Sequence, residues 1–387
     1  YTLKSLPPGE LAARKTDFAS IEGNRGIPDA ALEEVFNLGW DDFKAFARPR
    51  VAAYIKAFDE YLLSVNPKIA RATYGPFHIY VAANKTHPEF WWGGSGKFCG
   101  PKEGDVARLR KDETSCEKRV LDTIEWVVRT YKIDRNRIYL CGNSMGGSGT
   151  LGFGLRHGEL FAAIKANVPA LTDHACDRMG FDGLVPDDKL KLPDPPVLVN
   201  HTAPNDMRWS RGQEKLIRMM HDRKYAFLDY WADHKHCNKN SIILSKVDIV
   251  HSFDWLHVKK SDMYAVFTDA STDTPSPWPN DRERPGAGQI NGFFRWSDAC
   301  DDVSGVRLTL YLDPALKSRL FTVPESSVVD VTLRRVRRVG ANPGETVRWT
   351  FGEQSGEVAT DGEGLMTFPR LRLTKAPRVL SVERMAR

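Results

Sequence analysis

Arg137-Ile138-Tyr139-Leu140-Cys141-Gly142-Asn143-Ser144-Met145-Gly146-Gly147 decides how this chain is read. The first five residues are β-branched and apolar in the manner of a buried strand. After the glycines, Ser148-Gly149-Thr150-Leu151-Gly152-Phe153-Gly154-Leu155 is small and apolar, a suitable start for a packed helix. A serine between the two lies on a sharp strand-to-helix turn, with its hydroxyl outside the sheet and a helix N-terminus beneath it. The flanking glycines are expected where a side chain would collide as the backbone doubles back. A G-x-S-x-G string alone recurs by chance, and its bland reading is a glycine-rich turn with a capping serine. The strand–turn–helix setting makes Ser144 a candidate nucleophile.

Working outward, strands alternate with helices. Ser115–Tyr131 carries Val120, Ile124, Val127 and Val128 at helical spacing. Phe161–Val168 and Pro196–His201 read as strands, Ser210–Arg223 as a helix, and Tyr225–Trp231 as a further strand. That alternation predicts a mostly parallel sheet covered on both faces. Upstream, residues 1–70 are helical in tone, Phe77–Ala82 reads as a strand, and Phe90–Gly100 as an aromatic, glycine-rich loop. Beyond residue 245 short alternating runs take over: Met263–Phe267, Val306–Leu312, Val328–Val336, Thr346–Phe351, Leu365–Phe368 and Arg378–Val382. Their spacing predicts an all-β sandwich of immunoglobulin-like type. The expected organisation is a helical segment over 1–70, an α/β part over 71–247 and a β-sandwich over 248–387. The expected fold class is α/β, with a doubly wound, mostly parallel sheet and a C-terminal all-β sandwich domain.

A serine hydroxyl needs a base to take its proton, usually a histidine oriented by a carboxylate. In doubly wound hydrolases the order is Ser, acid, His, each on a loop at a strand's C-terminal end. Thr202-Ala203-Pro204-Asn205-Asp206 follows one strand, and Ala232-Asp233-His234-Lys235-His236-Cys237 follows the next. Asp206 is therefore the candidate acid, or else a helix-capping aspartate. His236 is the candidate base and His234 its rival. His201 precedes the acid and is expected only to line the site, as are Arg208 and Trp209. The N–H of Met145 is the expected oxyanion donor. No His-Gly segment upstream of Ser144 supplies a second one: either the part that carries it precedes Tyr1, or the Gly93–Gly96 loop or the Asn84 region serves instead. Trp91 and Trp92 read either as a sugar-stacking platform or as ordinary packing; Lys97 is a further candidate lining residue.

The run from Tyr131 to Gly147 resembles the elbow region of α/β-hydrolase esterases. It is particularly similar to the group containing feruloyl and acetyl-xylan esterases, polyhydroxybutyrate depolymerases and prolyl-oligopeptidase-like hydrolases. Pro195–Cys237 is similar to their acid-to-histidine stretch, in which a Trp-ending strand leads to the histidine five residues on, and this favours His236 over His234. The resemblance covers roughly residues 75–240. It implies a serine esterase without cofactor or metal, acting on acetyl, feruloyl or glucuronoyl esters of a polysaccharide. It also implies a Cys141–Cys237 disulfide joining the nucleophile and base loops. A peptidase or polyester depolymerase with the same triad, or an inert scaffold with a glycan-binding β-domain, are the competing readings.

Bulk properties bound the rest. The 387 residues suit more than one domain, and a composition 41% hydrophobic and 27% charged is ordinary for a folded protein. A net charge of +5, with much of the surplus around Arg334–Arg338 and in Arg370–Arg387, lacks the dense basic face with interleaved aromatics of a nucleic-acid binder. Val331–Val336 instead reads as a strand with a charged outer face. No apolar run approaches the roughly 20 residues that cross a bilayer. A first residue that is Tyr1 rather than methionine suggests removal of a leader, hence a secreted or periplasmic protein. Six cysteines without a C-x-x-C pair argue against structural zinc and permit disulfides. Oligomeric state is open.

Overall fold

The structure, a computed structural model, describes residues 112–384 apart from 171, 183–185, 188–189, 191, 207–208, 238, 279–285 and 340–341. Packing divides the chain after Tyr80, and every described residue belongs to the second unit, Val81–Arg387. The helices expected within 1–70, the strand expected at Phe77–Ala82, Asn84, the loop with Trp91, Trp92 and Lys97, and Arg208 lie outside the described residues.

Helix α1, Ser115–Tyr131, begins in a reciprocal cap. The Thr114 hydroxyl accepts from the Glu117 N–H, and the Glu117 carboxylate accepts from the Thr114 N–H. The helix ends at Lys132 in the left-handed region. Val120, Val127 and Val128 are buried, as their spacing requires. Then follow β1 (Tyr139–Asn143), α2 (Met145–Arg156), β2 (Ala163–Asn167), α3 (Asp173–Arg178), β3 (Val197–Thr202), α4 (Gln213–Asp222), β4 (Phe227–Trp231) and α5 (Asn240–Lys246). Strands β1 to β4 lie side by side in chain order and are all parallel.

The two faces of this sheet are covered differently. Ile164, Ala166, Leu198 and Phe227 pack with Val120 of α1, Leu151, Phe153 and Leu155 of α2, Ala175 and Cys176 of α3, and Leu216, Met219 and Met220 of α4. The opposite face presents Ala163, Val197, Val199, Leu228 and Tyr230 to Ile243 of α5, to Val247–Phe253 and to the later strands. The second face is thus sealed by β structure as well as by a helix.

The later strands are β5 (Tyr264–Thr268), β6 (Gly288–Ile290), β7 (Phe294–Asp301), β8 (Val306–Leu312), β9 (Ser326–Arg334), β10 (Thr346–Phe351), β11 (Gln354–Ala359), β12 (Met366–Thr374) and β13 (Arg378–Arg384). They form a five-stranded sheet ordered β11-β10-β13-β8-β7 and a three-stranded sheet ordered β12-β9-β5, both antiparallel. Strand β6 departs from both and adds antiparallel to β4 at the edge of the parallel sheet. Gly288 is required there, because a Cβ would stand 2.2 Å from the Trp231 ring. Among the described residues, no helix is long and apolar enough to cross a membrane.

The arginines expected on an outer strand face are inside. Arg334 donates to the carbonyls of Arg223 and Lys224, pairs with Asp194 at 3.0 Å, and lies 4.9 Å over the Tyr225 ring. Arg335 donates to the carbonyls of Phe161, Pro195 and Lys260, pairs with Asp194 at 3.3 Å and lies over Tyr264. Both are nearly buried. A guanidinium has donors for several carbonyls at once, which is why two charges can sit at this junction.

Candidate active site

Ser144 lies between β1 and α2 with φ 59° and ψ −121°, a backbone conformation uncommon for a residue with a side chain. Its N–H extends the sheet ladder to the Asn167 carbonyl at 2.9 Å, and its carbonyl accepts from the Ser148 N–H at 3.0 Å. Those bonds at both ends hold the turn. Glycine is needed at position 142, where a Cβ would be 2.3 Å from the Gly146 carbonyl, and at position 147, where it would be 2.6 Å from the Asn167 carbonyl. At Gly146 a Cβ would meet nothing among the described residues. The steric role expected of Gly146 is therefore taken by Gly147, whose turn rests on the end of β2.

Asp206 follows β3, anchored by its N–H to the Ala203 carbonyl and by the N–H groups of Trp209 and Ser210 on its own carbonyl. His236 follows β4. Its Nδ1 is 2.6 Å from Asp206 Oδ2 and its Nε2 is 2.8 Å from Ser144 Oγ. The carboxylate can only accept, so Nδ1 carries the proton and Nε2 offers its lone pair to the hydroxyl. The Asp206 side chain is 18% exposed and that of His236 36%, so the pair is sheltered while the imidazole edge remains open to a reactant. The two loops are joined a second time, since the Lys235 N–H donates to Asn205 Oδ1 at 2.8 Å. All three side chains sit at the C-terminal ends of parallel strands, where such sheets hold their ligands.

Trp209 packs against the His236 ring at 4.9 Å and 74°, with its indole N–H on the Val168 carbonyl, so it walls the imidazole. Met145 occupies the first position of α2, where a backbone N–H has no carbonyl four residues back to bond. A donor at that position has the positive end of the helix dipole behind it. His201 does not line the site. It is 1% exposed, beneath the loop, and its ring bonds His234 at 2.8 Å, so it offers no surface to a substrate. Both ring nitrogens of His234 are accordingly engaged, one with His201 and one with the Lys235 carbonyl.

The disulfide expected between Cys141 and Cys237 is absent; both are free thiols. Cys141 lies within β1 opposite Lys165 of β2, whose charge opposes the rise that burial imposes on the thiol. Cys237 turns its sulfur to the Lys239 N–H. The loops are joined by the polar contacts above instead. Sequence reasoning did not single out Asn205, Val168 or the His201–His234 bond, because backbone acceptors and buried contacts leave no mark on residue spacing. Among the described residues, no group of three His, Cys, Asp or Glu could hold a metal ion.

No family model matches the sequence. No curated protein matches it. Among solved structures, a Bacillus cereus carboxylesterase is similar at a TM-score of 0.28 and 13% identity, over 42% of this chain and 64% of that one. A native sOPH structure is similar at a TM-score of 0.31 and 17% identity, over 51% of this chain and 69% of that one. Both likenesses are loose, and neither bears on the chemistry of the site.

Proposed function

We propose that the chain is a serine hydrolase that cleaves carboxylic esters through an acyl-enzyme on Ser144. The observation that carries this reading is the continuous relay from Ser144 Oγ through both nitrogens of His236 to Asp206, at 2.8 and 2.6 Å. Ser144 Oγ attacks the ester carbonyl carbon as its proton passes to His236 Nε2. Asp206 stabilises the imidazolium that results, and the Met145 N–H takes the developing oxyanion. Collapse expels the alcohol, which receives the proton from Nε2. Water then attacks the acyl-serine with His236 again as base, and the acid is released.

In this reading the parallel sheet is the core of an α/β-hydrolase fold within residues 71–247, and residues 248–387 are an immunoglobulin-like sandwich appended to it. The substrate proposed is an acetyl, feruloyl or glucuronoyl ester on a polysaccharide. Support comes from the resemblance of residues 131–147 and from the aromatic wall at Trp209. Such polymers lie outside the cytoplasm, and the protein is proposed to act there.

A fluorophosphonate probe tests the triad. Wild type is labelled, whereas Ser144→Ala is not and loses ester turnover by about 10⁵-fold or more at an unchanged melting temperature. Equal labelling of the two would refute the nucleophile. Nitrophenyl esters against peptide amides then separate esterase from peptidase, and acetylated, feruloylated and methyl-glucuronate esters identify the acyl group.

A further inference from the structure

We propose that His201 and His234 form a neutral imidazole pair that positions the loop of His236, and that adding a proton to this pair releases the loop in acid. The positioning role rests on the catalytic reading above; the pair itself does not. His234 Nδ1 is 2.9 Å from the Lys235 carbonyl, and only a protonated nitrogen can bond a carbonyl. The neutral ring then has its lone pair on Nε2. His201 Nε2 lies 2.8 Å from that atom and must be the donor. One proton lies between the rings, and the contact tolerates neither none nor two.

The pair joins a strand to a loop. His201 is within β3, in register with Tyr230 of β4 and Asn167 of β2, and its carbonyl accepts the Val168 N–H. His234 is two residues before His236, in a loop that turns through Lys235 at φ 54°. The loop's other ties to the β3 end are Ala232 N–H to the Thr202 carbonyl at 3.4 Å, Lys235 N–H to Asn205, and His236 Nδ1 to Asp206 at 2.6 Å. A buried ring-to-ring bond therefore fixes the height of the loop, and so the reach of His236 to Ser144.

The surroundings hold both rings neutral. Burial lowers the proton affinity of His201, and His234, Lys165 of β2 and His251 add to the effect. Burial also lowers that of His234, against bonds to loop carbonyls and the nearby charges of Asp206 and Asp233. Lys165 itself donates to His251 Nδ1 at 2.7 Å, and burial brings it down to about 8. A proton on His234 Nε2 would set two N–H groups face to face. A proton on His201 Nδ1 would bury a cation near Lys165. Acid is accommodated only by parting the rings, each then protonating as an ordinary histidine. The pair takes up two protons in this step.

Two measurements test this. Histidine ring ¹⁵N spectra of wild type and of Ser144→Ala, which need no turnover, are expected to show His234 as the Nδ1–H tautomer and His201 as the Nε2–H tautomer at pH 7. Both should change together in one acid step well below the usual histidine range. Where the enzyme turns over ester, kcat/KM should fall in acid more steeply than one proton allows. His201→Gln keeps a donor nitrogen without titrating, and should make that fall shallower by about one proton. His234→Phe should lower kcat/KM near pH 8 by about 10²-fold, with a melting curve taken to separate misfolding from loop release. Rings that titrate separately near their ordinary values, or a wild-type acid limb that His201→Gln leaves unchanged, would overturn the proposal. If no ester is turned over, the spectra alone decide.

Discussion

Ser144 occupies a left-handed backbone conformation that costs a residue with a side chain on the order of 1–3 kcal/mol. The neighbours that hold it there divide the adjacent glycines by function. Gly142→Ala would drive its methyl into the Gly146 backbone and is expected to yield a protein destabilised by about 3 kcal/mol or more, seen as a lower urea midpoint. Gly146→Ala meets open space and is expected to fold at wild-type stability. Its methyl would stand in the first turn of α2, beside the Met145 donor, so acylation should slow while the midpoint stays. The strand–turn–helix geometry of Ser144 was legible because three glycines in six residues leave few other conformations. Which of them bears the packing was not, since that depends on how closely α2 approaches the end of β2.

Among the elements, α1 shows how a cap can serve the core. Glu117 closes the capping box and also receives Arg178 Nη1 of α3 at 2.6 Å and His157 Nε2, at the end of α2, at 3.4 Å. Burial disfavours its charge, but His157, Arg178 and the Thr114 N–H together outweigh burial and leave its acidity greater than that of free glutamate. A carboxylate whose folded pKa is depressed stabilises the fold above the unfolded value near 4.5, and that contribution fades as pH falls through the folded value. Glu117→Gln should therefore lose its deficit relative to wild type progressively in urea melts taken as pH falls below 4.5 and through the folded value. Glu117→Ala, which takes one carboxylate from the buried Arg178 guanidinium, should cost about 3 kcal/mol at pH 7. The α1 boundaries and the four parallel strands could be read from apolar spacing. Strand β6 and helix α5 could not. Gly288-Gln289-Ile290 is too short for a periodic signal, and Asn240–Lys246 buries only Ile243.

At the level of the whole molecule, the parallel sheet and the antiparallel sheets share one apolar cluster, from Ala163 and Val199 to Leu310, Phe368 and Val382. Arg334 and Arg335 fasten its rim by bonding carbonyls at 161, 195, 223, 224 and 260. Arg335→Ala leaves the Phe161 and Pro195 carbonyls without that donor, and should lower unfolding free energy by about 2–3 kcal/mol in urea titrations. Arg335→Lys should recover little of it, since one ammonium cannot reach the same carbonyls and stack on Tyr264. Charge counting misplaced these residues on the outside because an alternating strand pattern cannot reveal that its end runs under another layer.

Strand β13 comes late in the chain yet lies in the middle of its sheet, between β10 and β8. A ribosome therefore releases β8 and β10 well before the strand that must separate them. Until Arg378–Arg384 emerges, both present open ladder edges, free to zip onto each other or onto a neighbouring nascent chain. The exposed Arg307 of β8 and Arg348 of β10 put like charge on those two strands and would oppose their pairing during the wait.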